Sequence, residues 1–258
     1  MVIISLLDPI FFPLLRLPPL AAIILISFLI ALVIVFAYKK FTDQDLMKRL
    51  KDEIKELQTE MKNLKDNPER MMKVQKQAME TNMKYMMKSM KPTLITFLPI
   101  IIIFGWLNAH FAFNPLVAGN EFSITAEFVE GLTGNVSITA PSGLILLNGS
   151  ETTKAIYDNK VIWFLKAEKP GTYQVLFTYN GKEYQQNVIV VAEEKERRYA
   201  QPVNVFKKDL IKQITTSNGK LTPFGDFTFF GYQPGWLLTY ILSSLVFNLG
   251  LRKWMHVY

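Results

Sequence analysis

Apolar residues in this chain fall into long blocks, separated by segments with two different periodicities. Leu17 to Tyr38 is a run of 22 residues without a charge, Pro92 to Phe113 has only His110 as a titratable group, and Tyr232 to Leu251 adds 20 more residues. Each block is long enough to cross roughly 30 Å of hydrocarbon as a helix. The pattern predicts three transmembrane spans. The first ends in Ala37-Tyr38-Lys39-Lys40 and lacks a basic leader, so it is expected to stay attached rather than be cleaved as a signal peptide.

Between the first two spans, Leu46, Leu50, Ile54, Leu57, Met61 and Leu64 recur at spacings of three and four, the mark of an amphipathic helix. Thr42 with Asp45 resembles a capping box. Asn67-Pro68 then reads as an N-cap followed by a first helical residue. A second helix carries Met72, Gln75, Met79, Met83, Met86 and Met90 at the same spacings. The short loop between them predicts an antiparallel coiled-coil hairpin.

From Glu121 to Ala192 the period becomes two. FSITAEF, VSITA, VIWFLKA, TYQVLFTY and EYQQNVIVV read as strands between Gly, Pro and Asn punctuation. Asn180-Gly181 is a hairpin turn signal of type I′. About seven short strands predict a small all-β sandwich of immunoglobulin-like architecture. Phe224, Phe227, Phe229, Phe230, Tyr232 and Trp236 read as an aromatic belt before the third span.

Charge orients these pieces. Residues 39–91 hold 14 Lys or Arg against 9 Asp or Glu, whereas residues 116–201 hold 8 against 10. Lys/Arg excess marks the cytoplasmic side, so the hairpin and the C-terminus are expected inside and the N-terminus and sandwich outside. The expected fold is an α-helical membrane protein, N-out and C-in, multi-pass in the plasma membrane. Its layout is residues 1–40 for the N-terminal segment and first span, 41–91 for the hairpin and 92–114 for the second span. Residues 115–201 form the extracellular sandwich, 202–231 a connector, and 232–258 the third span and C-terminus. Two sequons, at Asn135 and Asn148, fall in the outer segment as candidate glycosylation sites.

Candidate chemistry is sparse. P-loop, HExxH, GxSxG and GxGxxG signatures are missing and cysteine is absent, so neither an enzyme nor a metal or cofactor site is expected. Polar residues within the spans are the alternative. Tyr240, Ser244 and Asn248 are four apart on the third span, and Thr93 and Thr96 open the second. They read either as helix-packing groups or as the lining of a hydrated membrane groove. Arg16 is a candidate groove charge, or else a side chain snorkelling to the outer interface. Met79, Met83, Met86, Met87 and Met90 offer soft, adaptable apolar surface for client segments, or else pack in the hairpin seam. Lys73, Lys76, Lys84 and Lys88 run beside them as candidate contacts for lipid phosphate or ribosomal RNA.

The stretches FTDQDLMKRLKDEIKELQTEMK, AMETNMKYMMKSMKPTLITFLPIIIIFGWLNAH and GYQPGWLLTYILSSLVFNLGLRKW resemble the archaeal branch of the YidC/Oxa/Alb membrane-insertase superfamily, whose relatives include a core subunit of the ER membrane protein complex. The resemblance implies a three-helix core, a cytoplasmic coiled-coil hairpin and a lipid-open groove that passes nascent membrane proteins into the bilayer. The partners it implies are nascent chains, the ribosome, membrane lipids, and small membrane subunits or the translocon. Bacterial members place an arginine within the first core helix. Here the body of the first span carries only Ser27 as an obvious polar group. The competing expectation is a structural or receptor protein whose sandwich binds a ligand and whose hairpin docks a cytosolic partner.

Overall fold

The computed structural model describes residues 7–64, 67–147, 151–228 and 231–257. Asn148, Phe229 and Phe230 lie outside the described residues. Among the described residues five α-helices, one 3₁₀ helix and ten strands follow in order, and the chain divides into two compact units.

The first unit contains residues 7, 20–105 and 237–257 of the described chain. Helix α2 (Pro19–Phe41) opens on a proline, whose fixed φ suits the first helical position, and closes on Lys39 and Lys40, which complement the helix dipole. Helix α3 (Gln44–Asn63) is capped by Asp43, whose carboxylate accepts from the Leu46 amide at 3.0 Å. Thr42, the residue expected to cap, instead donates its hydroxyl back to the Tyr38 carbonyl. Asn67 caps helix α4 (Pro68–Phe111) as expected, accepting from the Arg70 amide at 3.1 Å.

Helix α4 is one element of 44 residues. Pro92 and Pro99 each delete a backbone donor, yet the helix is unbroken through both. Thr81 donates to Glu53 at 3.0 Å and Arg70 pairs with Glu60 at 3.4 Å, so the lower half of α4 runs antiparallel to α3. Helix α5 (Trp236–Met255) packs on both of the other long apolar helices: Phe247 meets Phe28 edge-on at 5.3 Å, and Tyr240 meets Phe104 at 4.7 Å. Among the described residues, α2 and α4 are long and apolar enough to cross a membrane. Helix α5 has comparable length, but Thr239, Ser243, Ser244, Asn248, Arg252 and Lys253 dilute its apolar character.

The second unit comprises residues 8–19 and 106–236. Helix α1 (Asp8–Leu15) precedes α2. Strands β1 (Leu116–Val117), β8 (Lys182–Val191), β7 (Gly171–Tyr179), β3 (Asn135–Thr139) and β5 (Thr153–Ala155) form one sheet in that order, with β1 parallel to β8. The other sheet orders β4 (Leu144–Leu146), β6 (Lys160–Ala167), β2 (Glu121–Phe128), β10 (Ile211–Thr216) and β9 (Val203–Val205). The buried faces of both sheets share a single core in which Trp163 and Phe177 pack edge-on at 5.5 Å. Alternation along β6 is strict, with Val161, Trp163 and Leu165 buried and Ile162 and Phe164 exposed, as the two-residue period of a half-buried strand requires.

The β7–β8 turn has Asn180 and Gly181 both at positive φ, which is the type I′ geometry expected of Asn-Gly. Asp158 and Asn159 make a second turn of this kind between Tyr157 and Lys160. Among the described residues, seven strands, β2 to β8, form between Glu121 and Ala192 as expected, and three more, β1, β9 and β10, flank them. Two of them, β9 and β10, lie beyond Gln201 in the stretch read as connector, where β10 pairs with β2 through a register shift between Ile211 and Gln213 and buries Ile211, Ile214 and Thr216. The two legs of the β region meet where Asn114 donates to Gly219 at 2.8 Å and Leu221 to Ala112 at 3.1 Å.

Candidate functional site

Helix α4 presents two different stripes. Val74 and Thr81 are buried and Met71, Ala78, Tyr85 and Ser89 half-buried, and the stripe continues through the buried Pro92 and Thr96. Up to about Ser89 this line of mostly small or polar residues at spacings of three and four lies on the side of the hairpin partner, to which Thr81 bonds through Glu53. The opposite stripe carries Met79, Met83, Met86, Met87 and Met90, all more than half exposed. The methionines are therefore not the hairpin seam. They continue, at the same helical phase, into the exposed Leu94, Phe97, Leu98 and Ile101. From Met79 to Ile101 the apolar stripe is about 33 Å long at 1.5 Å per residue. Met72, Gln75, Lys76, Met79, Glu80 and Met83 border a shallow depression of about 420 Å³ at its lower end.

The basic residues flank that stripe. Lys76, Lys84 and Lys88 are exposed and form no ion pair among the described residues, whereas Lys73 pairs with Glu69 one turn away at 3.4 Å.

The intramembrane polar candidates have particular partners. Thr96 is buried and donates to the Pro92 carbonyl at 3.0 Å, accepting the helical geometry that proline leaves intact. Thr93 donates to the Ser89 carbonyl at 2.9 Å, and Ser244 to that of Ile241 at 3.0 Å. Tyr240 is buried against Phe104, while Ser244 and Asn248 are half-buried. Among the described residues no hydrogen bond joins Thr93 or Thr96 to Ser244 or Asn248.

What the structure does bring together is a junction centred on Tyr38. Its hydroxyl lies 2.6 Å from Thr93 Oγ1, the Arg252 guanidinium sits 4.6 Å over its ring, and its carbonyl accepts from Thr42 and Gln44. Lys39 beside it donates to the Met255 carbonyl at 3.1 Å. The C-terminal ends of α2 and α5 meet the middle of α4 at this point.

A second polar cluster belongs to the other unit. Asp8 Oδ1 accepts from Trp106 Nε1 at 2.8 Å and lies 3.3 Å from His110 Nε2, while His110 Nδ1 lies 3.0 Å from the Arg197 carbonyl. Arg197 is buried in the left-handed conformation, with φ 47°. Its Nη2 donates to the Leu17 carbonyl at 2.6 Å and its guanidinium stacks 4.8 Å over Phe111. Burial lowers the Arg197 pKa, with Glu194 opposing. Tyr199, whose hydroxyl is pushed up to about 12 by burial, donates to the Asn108 carbonyl and accepts from the Ala112 amide. Arg16 is exposed, 5.4 Å from the Phe12 ring, and belongs to this unit rather than to the one holding Thr96 and Tyr240. Asn135 is exposed at the start of β3, and Asn148 lies outside the described residues.

Residues 5–149, more than half of the chain, match the family described as Integral membrane protein EMC3/TMCO1-like. The chain belongs to that family. It is thus an integral membrane protein within the YidC/Oxa/Alb superfamily context, and membership carries a general role in membrane-protein insertion and biogenesis within membrane complexes. No curated protein and no solved structure matches the chain.

Tyr38, Asp8 and Trp106 escaped the reading of the sequence. Asp8 had a visible signal, since it is the one acidic residue before Asp43. An isolated charge in apolar surroundings calls for a partner. Its partners lie 98 and 102 residues away.

Proposed function

We propose that this chain is an archaeal YidC-like insertase that passes nascent membrane proteins from the cytoplasm into the plasma membrane. In this reading α2, α4 and α5 are three spans, N-out and C-in, with α3 and the lower half of α4 forming a cytoplasmic coiled coil and an immunoglobulin-like sandwich outside. Helix α5, with 20 residues, is about 30 Å long and matches the hydrocarbon thickness.

The observation that carries the proposal is the unbroken apolar stripe of α4 from Met79 to Ile101. A client segment held on unbranched, polarizable methionines reaches Leu94, Phe97 and Leu98 without leaving an apolar surface. Lys76, Lys84 and Lys88 beside the stripe meet ribosomal RNA or lipid phosphate. Thr93, Thr96, Tyr240, Ser244 and Asn248 provide polar surface for the hydrophilic flank of the client, whose passage through hydrocarbon otherwise costs several kcal/mol. The protein consumes no nucleotide and uses no catalytic group. Its partners are nascent chains, the ribosome, and further membrane subunits or the translocon.

Photo-crosslinking during translation tests this reading. Probes at Met83 and Phe97 should capture a nascent membrane protein in sequence, the first before the second, while a probe at the buried Thr81 should capture nothing. Equal capture at all three positions, or at none, overturns the proposal. Single cysteines at Ser244 and Asn248, in a chain that has none, should react with impermeant thiol reagents from the cytoplasmic side. Unreactive cysteines at both would remove the hydrated groove.

A further inference from the structure

The second unit contains a cavity of about 790 Å³ lined by Asp8, Phe12, Leu15, Arg16, His110, Lys195, Glu196 and Arg198. This volume lies within the usual range for a small-molecule site. We propose that it binds the headgroup of an anionic phospholipid, with Arg16 and Arg198 holding the phosphate and Phe12 and Leu15 meeting the first acyl carbons.

The charges in the cavity differ in their availability. Asp8 is engaged by Trp106 and His110, and Glu196 Oε1 accepts the Ala192 and Glu193 amides. Lys195 is paired with Glu193. Both ring nitrogens of His110 have partners. Arg16 and Arg198, by contrast, are exposed and form no ion pair among the described residues. Two guanidinium groups with unspent donors on one cavity suit a phosphate, which they recognise through paired, charge-assisted hydrogen bonds.

The scaffold under these groups is fixed. Arg198 follows a 3₁₀ turn (Glu194–Glu196) whose C-cap, Arg197, is tied to His110 through its carbonyl and to Leu17 through its side chain. Tyr199 fastens the next residue to Asn108 and Ala112. Arg198 is therefore presented from an anchored loop rather than a free one.

The apolar side of the site selects an amphiphile over a free anion. Phe12 lines the cavity 5.4 Å from the Arg16 guanidinium and is 52% exposed, and Ile10 on the same helix is 68% exposed. Helix α1 ends four residues before α2, a helix long and apolar enough to cross the bilayer. Headgroup depth is where chain connectivity delivers these residues.

The full chain, purified in a neutral detergent, can be titrated with dihexanoyl phosphatidylglycerol, dihexanoyl phosphatidylcholine or inorganic phosphate, following thermal unfolding. The glycerol lipid should stabilise saturably, and neither the choline lipid nor phosphate should do so at equal concentration. Arg16→Gln with Arg198→Gln should raise the midpoint of the titration at least about tenfold while leaving the lipid-free transition unchanged. Arg198→Gln alone should raise it by a smaller factor, which keeps the test available if the double variant does not fold. Equal stabilisation by the choline lipid, or a midpoint unmoved by the substitutions, overturns the site. An equal shift from inorganic phosphate overturns the lipid as its occupant.

Discussion

The hydroxyls of Tyr38 and Thr93 lie 2.6 Å apart, joining α2 to α4 across 55 residues of sequence, while the Arg252 guanidinium covers the same tyrosine ring from α5. A single aromatic side chain of α2 thereby touches both α4 and α5. Tyr38→Phe keeps the ring and its cation contact but removes the hydrogen bond. It should cost about 0.5–1 kcal/mol, and Thr93→Val a similar amount. Unfolding of both single variants and the double variant in mixed micelles provides the check. The double variant should lose less than the sum of the two.

Exposure on α4 separates stability from function. Met83→Ser and Met86→Ser, at positions more than half exposed, should change stability by no more than about 0.5 kcal/mol while reducing capture of a nascent chain. Leu57→Ala, on the buried face of α3, should cost roughly 2–5 kcal/mol. Parallel measurement of unfolding and of client crosslinking distinguishes them. Methionine variants that unfold the hairpin would contradict the placement of the seam.

In the sandwich, Lys182, the Tyr184 hydroxyl and the Leu210 amide hold the Asp209 carboxyl down at about 2. Burial, and then the bond to Asp209, push the Tyr184 hydroxyl up to about 12, so it stays a donor at every working pH. The folded-state pKa of Asp209 lies below its unfolded value of about 3.9. Its stabilising contribution is thus complete above that value and lost as pH falls through about 2. Thermal unfolding of the wild type should show this loss between about pH 4 and pH 2. Asp209→Asn should flatten the dependence and leave a lower plateau at neutral pH.

Tyr199 fastens the loop after the 3₁₀ turn to the end of α4. Tyr199→Phe leaves the Ala112 amide and Asn108 carbonyl without this partner and should cost roughly 1–3 kcal/mol. Limited proteolysis offers a local readout, with cleavage expected to increase around Lys195 to Arg198. An unchanged cleavage pattern would show that Arg197 anchors the loop alone.

Local chemistry was the most legible part of this chain. The Asn67-Pro68 start, the Asn180-Gly181 turn and the apolar block of α2 each depend on neighbouring residues, and all three form as read. The seam of α4 was harder to see. It is built from Val74, Ala78, Thr81, Tyr85 and Ser89, chosen for size and hydrogen bonding, so a search for hydrophobicity finds the opposite, methionine-bearing face. Asp158-Asn159 went unseen because two left-handed residues without glycine carry little turn signal. The Asp8, Trp106 and His110 cluster, and the contact of Tyr38 with Thr93, depend on separations of 55 to 102 residues, which no periodicity encodes.

The continuity of α4 sets a rule for how such a chain can change length. Each residue advances a helix by about 100°, so one residue lost between Met90 and Leu94 would swing the methionines a quarter-turn or more away from Phe97 and Leu98. Seven residues restore the phase to within about 20°. Gains and losses in this arm are therefore quantised, and among descendants of a common ancestor the lengths of gaps here should cluster near about 7, 11 or 18 residues, which hold the phase to within about 20°.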